Sequence, residues 1–382
     1  MKKKLAVLLS MALMATAVAP FTASADDETI KIAYIGPLTG NYETYGRHQR
    51  QAIELAVEQI NEAGGINGYQ VEVKFQDDEH DPEKSVNAYN TLKDWGMQIL
   101  EGTVTSKPCQ AVAAETLNDN MFQLTPSGSS PACVTGDNAF AVCFSDPAQG
   151  AASAVYIGEH SLAEKVAIIY NSQDVYSSGI YETFMAEVES QPFEVVAAEA
   201  FTDDTSKDFS VQLQKAQEAG ADLVFLPIYY DPAYLILTQA AGMGYSPVFF
   251  GVDGMDGILG VEGFDTTLAE GVLLLTPFVA ASEDEKTVNF VEKYKAANND
   301  EIPNQFAADA YDGLYIIKQA IEEAGLTPDM EISDLCDALK VKMTEITYDG
   351  LTGTGTTWDA SGAVTKDPNA VIIENGTYVS AE

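Results

Sequence analysis

The sequence has few basic residues and few histidines. Its 382 residues include 20 lysines and arginines against 58 acids, which gives a formal net charge of −38, and it has only three histidines. Nucleic-acid backbones are bound by clusters of lysine and arginine, and anionic membrane surfaces attract the same residues. The charge therefore argues against both kinds of partner and indicates solubility or a salty habitat. A disordered chain is excluded as well, because 46% of the residues are apolar.

Long apolar segments are also scarce. The apolar run at residues 5–18 is too short for a bilayer span, which needs about 20 residues. It follows Lys2, Lys3 and Lys4 and precedes the small residues Ala-Ser-Ala at 23–25, which is the order of a secretory signal. We therefore predict a signal peptide at residues 1–25 and a periplasmic or otherwise extracytoplasmic protein. No cysteine lies near the cleavage point, so a lipid anchor has no support.

The cysteines are few, and export makes disulfides possible for them. They are Cys109, Cys133, Cys143 and Cys336. Cys133 could pair with Cys143 or with Cys109, and the sequence cannot choose among the pairings. A catalytic cysteine is disfavoured, because histidine is rare and His48 stands in a helical pattern.

What the chain does have is a regular alternation of strand and helix. Apolar strands at residues 29–36, 71–75, 98–102 and 121–125, and again at 166–170, 193–201, 223–227 and 248–251, are separated by helical patterns. Such spacing predicts parallel sheets covered by helices on both faces. The two runs, before and after about Ser145, predict two doubly wound α/β domains, which the length also favours.

The loops after the predicted strands carry the polar chemistry, and ligands of open α/β sheets bind at these carboxyl ends. Ser106 and the serines of 127–130 stand near helix starts or tight turns, where hydroxyls and free N–H groups can hold a carboxylate. In the second domain Asp253 stands near two glycines and could hold an ammonium. Charge-assisted hydrogen bonds at both ends would fix a zwitterion. Tyr45, Tyr176 and Tyr230 could wall its side chain.

Each of these residues also has a structural interpretation. Serine and glycine in such loops commonly form turns and caps, Asp253 could cap a helix, and Tyr230 could serve packing alone. The hypothesis of a site depends on six loops from two domains having compatible chemistry.

At these loops the sequence resembles type I periplasmic solute-binding proteins of the leucine/isoleucine/valine-binding kind, the receptors of branched-chain amino-acid ABC transporters. The resemblance covers essentially residues 29–382. Its markers are Ile35-Gly36-Pro37-Leu38-Thr39-Gly40 with Tyr45-Gly46, residues 60–68, Asp77-Asp78 through Asp81-Pro82, Thr125-Pro126-Ser127, and Phe144 through Gly150.

The resemblance implies two lobes that close around a ligand, joined by three crossovers near Ser145, Thr276 and Leu351. Lobe 1 would comprise residues 26–145 plus 277–350, and lobe 2 residues 146–276 plus 351–382. The residues carried over by position form one set: Thr105, Ser106, Ser127 and Ser129 in the first-lobe loops, Tyr176 and Tyr230 in the second lobe, Tyr45 in the side-chain pocket, and Asp253 for the ligand ammonium. The closest family members have glutamate at the last position.

The resemblance thus implies a receptor that passes a free amino acid, branched-chain or similar, to an ABC permease, with no cofactor or metal. A monomer suits such a shuttle. Three alternatives stay open: a non-amino-acid ligand such as an amide, small peptide or purine-like molecule, a sensory receptor, and an enzyme. The enzyme is disfavoured, because the Gly-x-Ser-x-Gly, His-Glu-x-x-His and phosphate-loop motifs are absent and the acidic stretch 77–81 lacks calcium-loop spacing.

Overall fold

The structure is a computed structural model that describes residues 29–366 and 368–381. The predicted signal peptide at 1–25 lies outside these residues. The strands are β1 Ile30–Gly36, β2 Val71–Asp77, β3 Ile99–Gly102, β4 Phe122–Thr125, β5 Ala139–Ala141, β6 Lys165–Asn171, β7 Glu194–Phe201, β8 Leu223–Leu226, β9 Val248–Gly251, β10 Leu273–Thr276, β11 Asn369–Glu374 and β12 Thr377–Ser380. The helices are α1 Glu43–Glu62, α2 Pro82–Trp95, α3 Ser106–Asp119, α4 Asp146–Glu159, α5 Val175–Val188, α6 Ser210–Glu218, α7 Tyr230–Met243, α8 Glu285–Ala297, α9 Gln305–Ala324 and α10 Ile332–Met343.

The first sheet is wholly parallel and has the order β2-β1-β3-β4-β5. Helices cover both faces of this sheet, so all four residues of β3 and of β4 are buried, including the polar Glu101 and Gln123. Local signals set the helix ends. The Asp81 side chain caps α2 by accepting from the backbone N–H groups of Glu83 and Lys84, and Gly96 ends that helix at a φ of 89°.

The second sheet has the order β12-β11-β10-β9-β8-β6-β7. The strands from β7 to β10 pair in parallel, whereas β11 runs antiparallel to both β10 and β12. The prediction of two parallel-sheet α/β lobes is therefore confirmed, with an antiparallel edge added by the C-terminal strands. Such an edge strand is common on doubly wound sheets.

Helices α8 to α10 return to the first lobe. The Tyr294 hydroxyl lies 3.0 Å from Nδ1 of His48, and the Tyr311 hydroxyl donates to Gln59 at 2.8 Å. At the far end of the lobe, the Asn120 amide donates to the Ser333 hydroxyl at 2.7 Å. These contacts place residues 285–343 against α1 and the end of α3.

The segment after α10 stays with the first lobe longer than the sequence indicates. Trp358 Nε1 donates to the Ala141 carbonyl at 2.7 Å, and the Ala141 N–H donates to the Gly362 carbonyl at 3.1 Å. Only from residue 369 does the chain join the second sheet. These contacts favour a third crossover after Lys366 rather than near Leu351. Among the helices of the described ranges, none has the length and apolar character of a membrane span.

Candidate ligand-binding site

The carboxyl ends of both sheets face a common cleft, and the two lobes touch there. Tyr45, on α1 of the first lobe, donates its hydroxyl to the Gly254 carbonyl of the second lobe. The backbone N–H of Gln305, at the start of α9, donates to Asp256 at 2.8 Å. The structure is therefore a closed form, in which residues from both lobes form one buried region.

Asp253 lies at the centre of this region, in a short turn directly after β9. Its side chain is 2% exposed, and the Tyr176 hydroxyl donates to it at 2.5 Å. The Gly254 N–H donates to the same hydroxyl at 2.9 Å, and the Asp253 N–H donates to Gln149 at 3.3 Å. Burial raises the pKa of Asp253 to about 6, although the hydrogen bond from the Tyr176 hydroxyl opposes the rise.

In the part of the chain that the structure describes, no lysine or arginine forms an ion pair with this carboxylate. The ion pairs among the described residues do not include Asp253 or its neighbour Asp146. A buried ionised carboxylate without a positive partner is costly, so the site is suited to a cationic group that the chain itself does not supply.

Asp146 is a second buried acid that the sequence analysis did not assign to the site. It is the first residue of α4 and 1% exposed, and neither carboxylate oxygen has a hydrogen-bond partner within the part of the chain that the structure describes. Burial raises the pKa of Asp146 well above its usual range, and the charge of Asp253 adds to that rise. The signal that could have found it is its place in the family marker Phe144 through Gly150.

Two glutamines add further unpartnered polar groups to the region. The Nε2 atom of Gln149 and both terminal atoms of Gln305 are buried without a partner among the described residues. Buried polar atoms are nearly always hydrogen-bonded in folded proteins. Several open donors and acceptors around Asp253 and Asp146 therefore mark a binding site for a small polar ligand.

Ser106 and Ser129 lie together on the first-lobe side. Ser106 is the first residue of α3. Its hydroxyl oxygen lies 3.5 Å from the hydroxyl oxygen of Ser129 and accepts a hydrogen bond from the Ser130 N–H at 3.2 Å. The Asp146 N–H donates to the Ser129 carbonyl at 2.9 Å, so the serine pair is joined directly to the acidic side. Hydroxyls at the first turn of a helix form an environment that suits an anion.

The structure gives the hydroxyls of Ser127 and Thr105 partners inside the first lobe. Ser127 donates to the Val104 carbonyl at 2.9 Å and accepts from Gln49 Nε2 at 2.8 Å. Thr105 lies 2.8 Å from Nδ1 of His80, whose pKa is lowered by burial to about 4, so the ring is neutral near pH 7. These two predicted site residues hold their loops in place, and their hydroxyls are already used.

Aromatic rings form the wall of the region. Tyr176 stacks on Tyr229 with ring centroids 4.5 Å apart, and Tyr45 packs against Phe306 at 4.0 Å and against Tyr230 at 4.9 Å. Tyr45, Tyr176 and Tyr230 were predicted, whereas Tyr229 and Phe306 were not.

Beyond this wall a cavity of about 660 Å³ opens between the lobes, and it is lined in part by Tyr42, His80, Lys107, Asp174, Tyr229 and Asp231.

Comparison with known proteins agrees with this geometry. A model of the periplasmic binding protein family matches residues 29–377. The chain belongs to this family. It is 31% identical over 320 residues to the leucine-, isoleucine-, valine-, threonine- and alanine-binding protein of Pseudomonas aeruginosa, covering 83% of this chain and 84% of that protein.

Solved structures show the same relationship. The branched-chain amino acid transporter substrate binding protein LivJ from Streptococcus pneumoniae, in complex with isoleucine, superposes with a TM-score of 0.84 at 28% identity, covering 93% of this chain and 99% of that one. A leucine binding protein, LivK, from Thermotoga maritima gives a TM-score of 0.81 at 25% identity, with 93% and 98% covered. The resemblance read from the sequence is confirmed.

Within residues 29–366 and 368–381, no group of three or more His, Cys, Asp or Glu is arranged to hold a metal ion.

Proposed function

We propose that this protein is an extracytoplasmic receptor that binds a free α-amino acid between its lobes and delivers it to an ABC permease. The observation that carries the proposal is the buried carboxylate of Asp253. It accepts a hydrogen bond from Tyr176, is buried where the two lobes meet, and has no ion-pair partner in the described residues. An α-ammonium supplies the missing charge and can donate to Asp253 and to the open oxygens of Asp146.

The opposite end of the ligand would lie at the serine pair. Ser106 and Ser129 are in contact, and Ser106 opens α3, so their hydroxyls and the first-turn N–H groups can bind the α-carboxylate. Because Ser129 and the Asp146 backbone are hydrogen-bonded, the anion and cation subsites are adjacent, as a zwitterion requires. The rings of Tyr45, Tyr230 and Phe306 would then contact the side chain.

The relatives support an uncharged ligand side chain. The Pseudomonas protein is named for leucine, isoleucine, valine, threonine and alanine, and the Streptococcus structure contains isoleucine. A tyrosine and phenylalanine wall buries aliphatic surface and offers hydroxyls to a threonine-like side chain. We therefore propose a branched-chain or similar small amino acid as the ligand.

Transport would follow from the two-lobed architecture. Ligand contacts shared between lobes favour the closed form, a hinge transition of the kind found in binding proteins. The closed form would be recognised by the permease. We propose that the receptor acts as a monomer, without enzymatic activity, after export.

The direct test is to identify what the protein binds. The exported protein is purified without denaturation, and its bound small molecules are released and identified by mass spectrometry. Thermal shift with a panel of amino acids and matched analogues lacking the α-amino group follows on the ligand-free protein. Stabilisation by aliphatic amino acids alone is expected. Stabilisation only by the analogues without an amine would refute the amino-acid proposal and leave a receptor for another ligand.

A further inference from the structure

Two of the four cysteines meet directly beside the serine loops. Cys109 is on α3, one turn after Ser106, and Cys133 lies in the short turn Pro131–Val134 that follows the Ser127–Ser130 loop. Both side chains are 0% exposed. Both are free thiols in this structure. The Cys133 sulfur lies 3.6 Å from the carbonyl oxygen of Ser106, one helical turn before Cys109, and the two thiols are close enough for each to affect the pKa of the other.

The surrounding loop is shaped around the Cys109 sulfur. Gln123 Nε2 lies 3.6 Å from it. A Cβ atom at Gly128 would lie only 2.7 Å from the same sulfur, so the loop can pass this closely only because residue 128 has no side chain. The sulfur is thus enclosed by the serine loop, with Cys133 as its thiol neighbour.

The other two cysteines lie in different surroundings. Cys143 follows β5, near the charged groups of Asp309, Asp253, Lys366 and Asp146. It also raises the pKa of Cys133, but less than Cys109 does. Cys336 is on α10, where it packs in the apolar core. Of the two pairings that the sequence left open, the structure therefore favours Cys109 with Cys133 over Cys133 with Cys143.

We propose that Cys109 and Cys133 form a disulfide in the exported protein, and that this bond ties the Ser106 loop to the Ser127–Ser130 loop. In its formation two S–H bonds are lost and one S–S bond is made, releasing two protons and two electrons. The electrons reduce the disulfide of an oxidant, either glutathione disulfide or a dithiol–disulfide oxidoreductase, to two thiols. Because both sulfurs are fully buried, the bond forms before the loops close over it and is then shielded from reductants.

The bond has a consequence for ligand binding, which rests on the proposed function. Ser106 is three residues from Cys109, and Ser129 is four residues from Cys133. A covalent link between these positions fixes the separation of the two hydroxyls before the ligand arrives. Pre-organised groups bind more tightly because less freedom is lost on binding.

The pairing is tested by mass spectrometry on protein exported with its own signal and purified without reductant. The protein is unfolded in denaturant with iodoacetamide. Two alkylated cysteines, Cys143 and Cys336, and a cross-linked peptide pair containing Cys109 and Cys133 are expected. Four alkylated cysteines, or a cross-link that includes Cys143 or Cys336, would overturn the proposal. This result does not depend on any ligand.

The positioning role is tested with two matched double variants, Cys109→Ser with Cys133→Ser and, as control, Cys143→Ser with Cys336→Ser. The first is expected to lower the melting temperature of the ligand-free protein by ~5 °C or more and to abolish its response to reductant in mild denaturant. The control should keep the wild-type response to reductant. A response that is lost in the control and kept in the first variant would overturn the pairing.

Binding separates the two proposals. The variant without the bond should bind the amino acid at least about threefold more weakly than the control, because its serine loops are less pre-organised. Equal affinity in the two variants would overturn the positioning role while the mass result supports the bond. If the wild-type protein binds no amino acid at all, the proposed function fails. The disulfide proposal is then still tested, because mass spectrometry detects the cross-linked peptides whether or not a ligand binds.

Discussion

Buried aspartates occur in two parts of this molecule, and their surroundings differ. Asp312, on α9 behind the cleft, accepts the backbone N–H groups of Leu351 and Thr352 at 2.9 Å each, and the Thr352 hydroxyl at 2.8 Å. Asp146, at the cleft, has no hydrogen-bond partner for either oxygen within the described ranges. The two are equally buried, at 2% and 1% exposed.

The difference separates a structural role from a binding role. The donors around Asp312 belong to the segment that returns from α10 past the first lobe, so this carboxylate anchors that segment. Of the two acids at the cleft, Asp146 has no such donor among the described residues, and Asp253 accepts a hydrogen bond from the Tyr176 hydroxyl. A polar group that the chain satisfies stabilises the fold, and one that the chain leaves open is available to a ligand.

The largest effect is expected at the cleft. Replacing Asp253 by asparagine keeps the size of the side chain but removes the charge that pairs with the ammonium. Losing one partner of a buried ion pair costs ~3–5 kcal/mol, so the affinity should fall more than about a hundredfold. Isothermal calorimetry with the best amino acid of the thermal-shift panel measures the loss.

Stability provides the control for this substitution. Since Asp253 is buried without a positive partner, the melting temperature of the ligand-free variant should stay the same or rise. A variant that keeps wild-type affinity for every accepted amino acid would remove Asp253 from the site and with it the comparison between the two sets of acids.

The second effect is expected behind the cleft. Asp312→Ala leaves the N–H groups of Leu351 and Thr352 without their acceptor, and each stranded buried donor costs about 1–3 kcal/mol. The free energy of unfolding, measured with denaturant, should therefore fall by ~3 kcal/mol, whereas ligand affinity should change by less than about threefold. A loss of affinity as large as that of the Asp253 variant would show that the two acids do not have separate roles.

How far the sequence predicts this arrangement depends on how far apart the interacting residues lie along the chain. Helix Gln305–Ala324 follows from local periodicity and is confirmed by the structure. The position of Asp253 in a loop after a strand also follows from the sequence, whereas its role as a ligand-binding acid stays a prediction. The partner of Ser127 could not be predicted, because Gln49 lies 78 positions earlier in the chain. The late third crossover depends on contacts between Trp358 and Ala141, which are 217 positions apart.

Asp146 was missed for a different reason. With 58 acids in the chain, a single aspartate in the first turn of a helix carries no signal by its residue type alone, because acids are favoured there. Its place in the family marker Phe144 through Gly150 could have pointed to it. Its lack of hydrogen-bond partners among the described residues, however, depends on the packing of α4 against the serine loop, which a single sequence does not reveal.

A smaller effect is expected within the first lobe, where Ser106 and Ser127 extend the same comparison. Ser106→Ala removes a hydroxyl proposed to bind the ligand carboxylate and should weaken binding by about 1–3 kcal/mol, measured by calorimetry. Ser127→Ala is the matched control. Its hydroxyl is already bonded to Val104 and Gln49, so the variant should lose about 1 kcal/mol of stability and little affinity. The reverse pattern would place the carboxylate at Ser127.

The smallest effect is expected from pH. In the closed form without ligand, burial raises the pKa of Asp253 to about 6, above its ordinary value of 3.8, so in that form the carboxyl is mostly protonated at pH 5. Pairing with an ammonium requires the ionised form, and the proton must leave on binding. Affinity should therefore be full above about pH 7 and ~tenfold weaker at pH 5, since one pKa unit corresponds to a tenfold change.

The stability of the ligand-free protein should change in the opposite direction. A raised carboxyl pKa contributes stability that is present below about pH 4 and is lost as the pH rises through 6. Calorimetry at pH 5, 6 and 7, in buffers of different ionisation enthalpy, should detect the proton released on binding at pH 5. Asp253→Asn should show no such release. Affinity that stays constant from pH 5 to 7 in the wild-type protein would mean that Asp253 is already ionised before the ligand binds, as it would be if the lobes open and expose it to water.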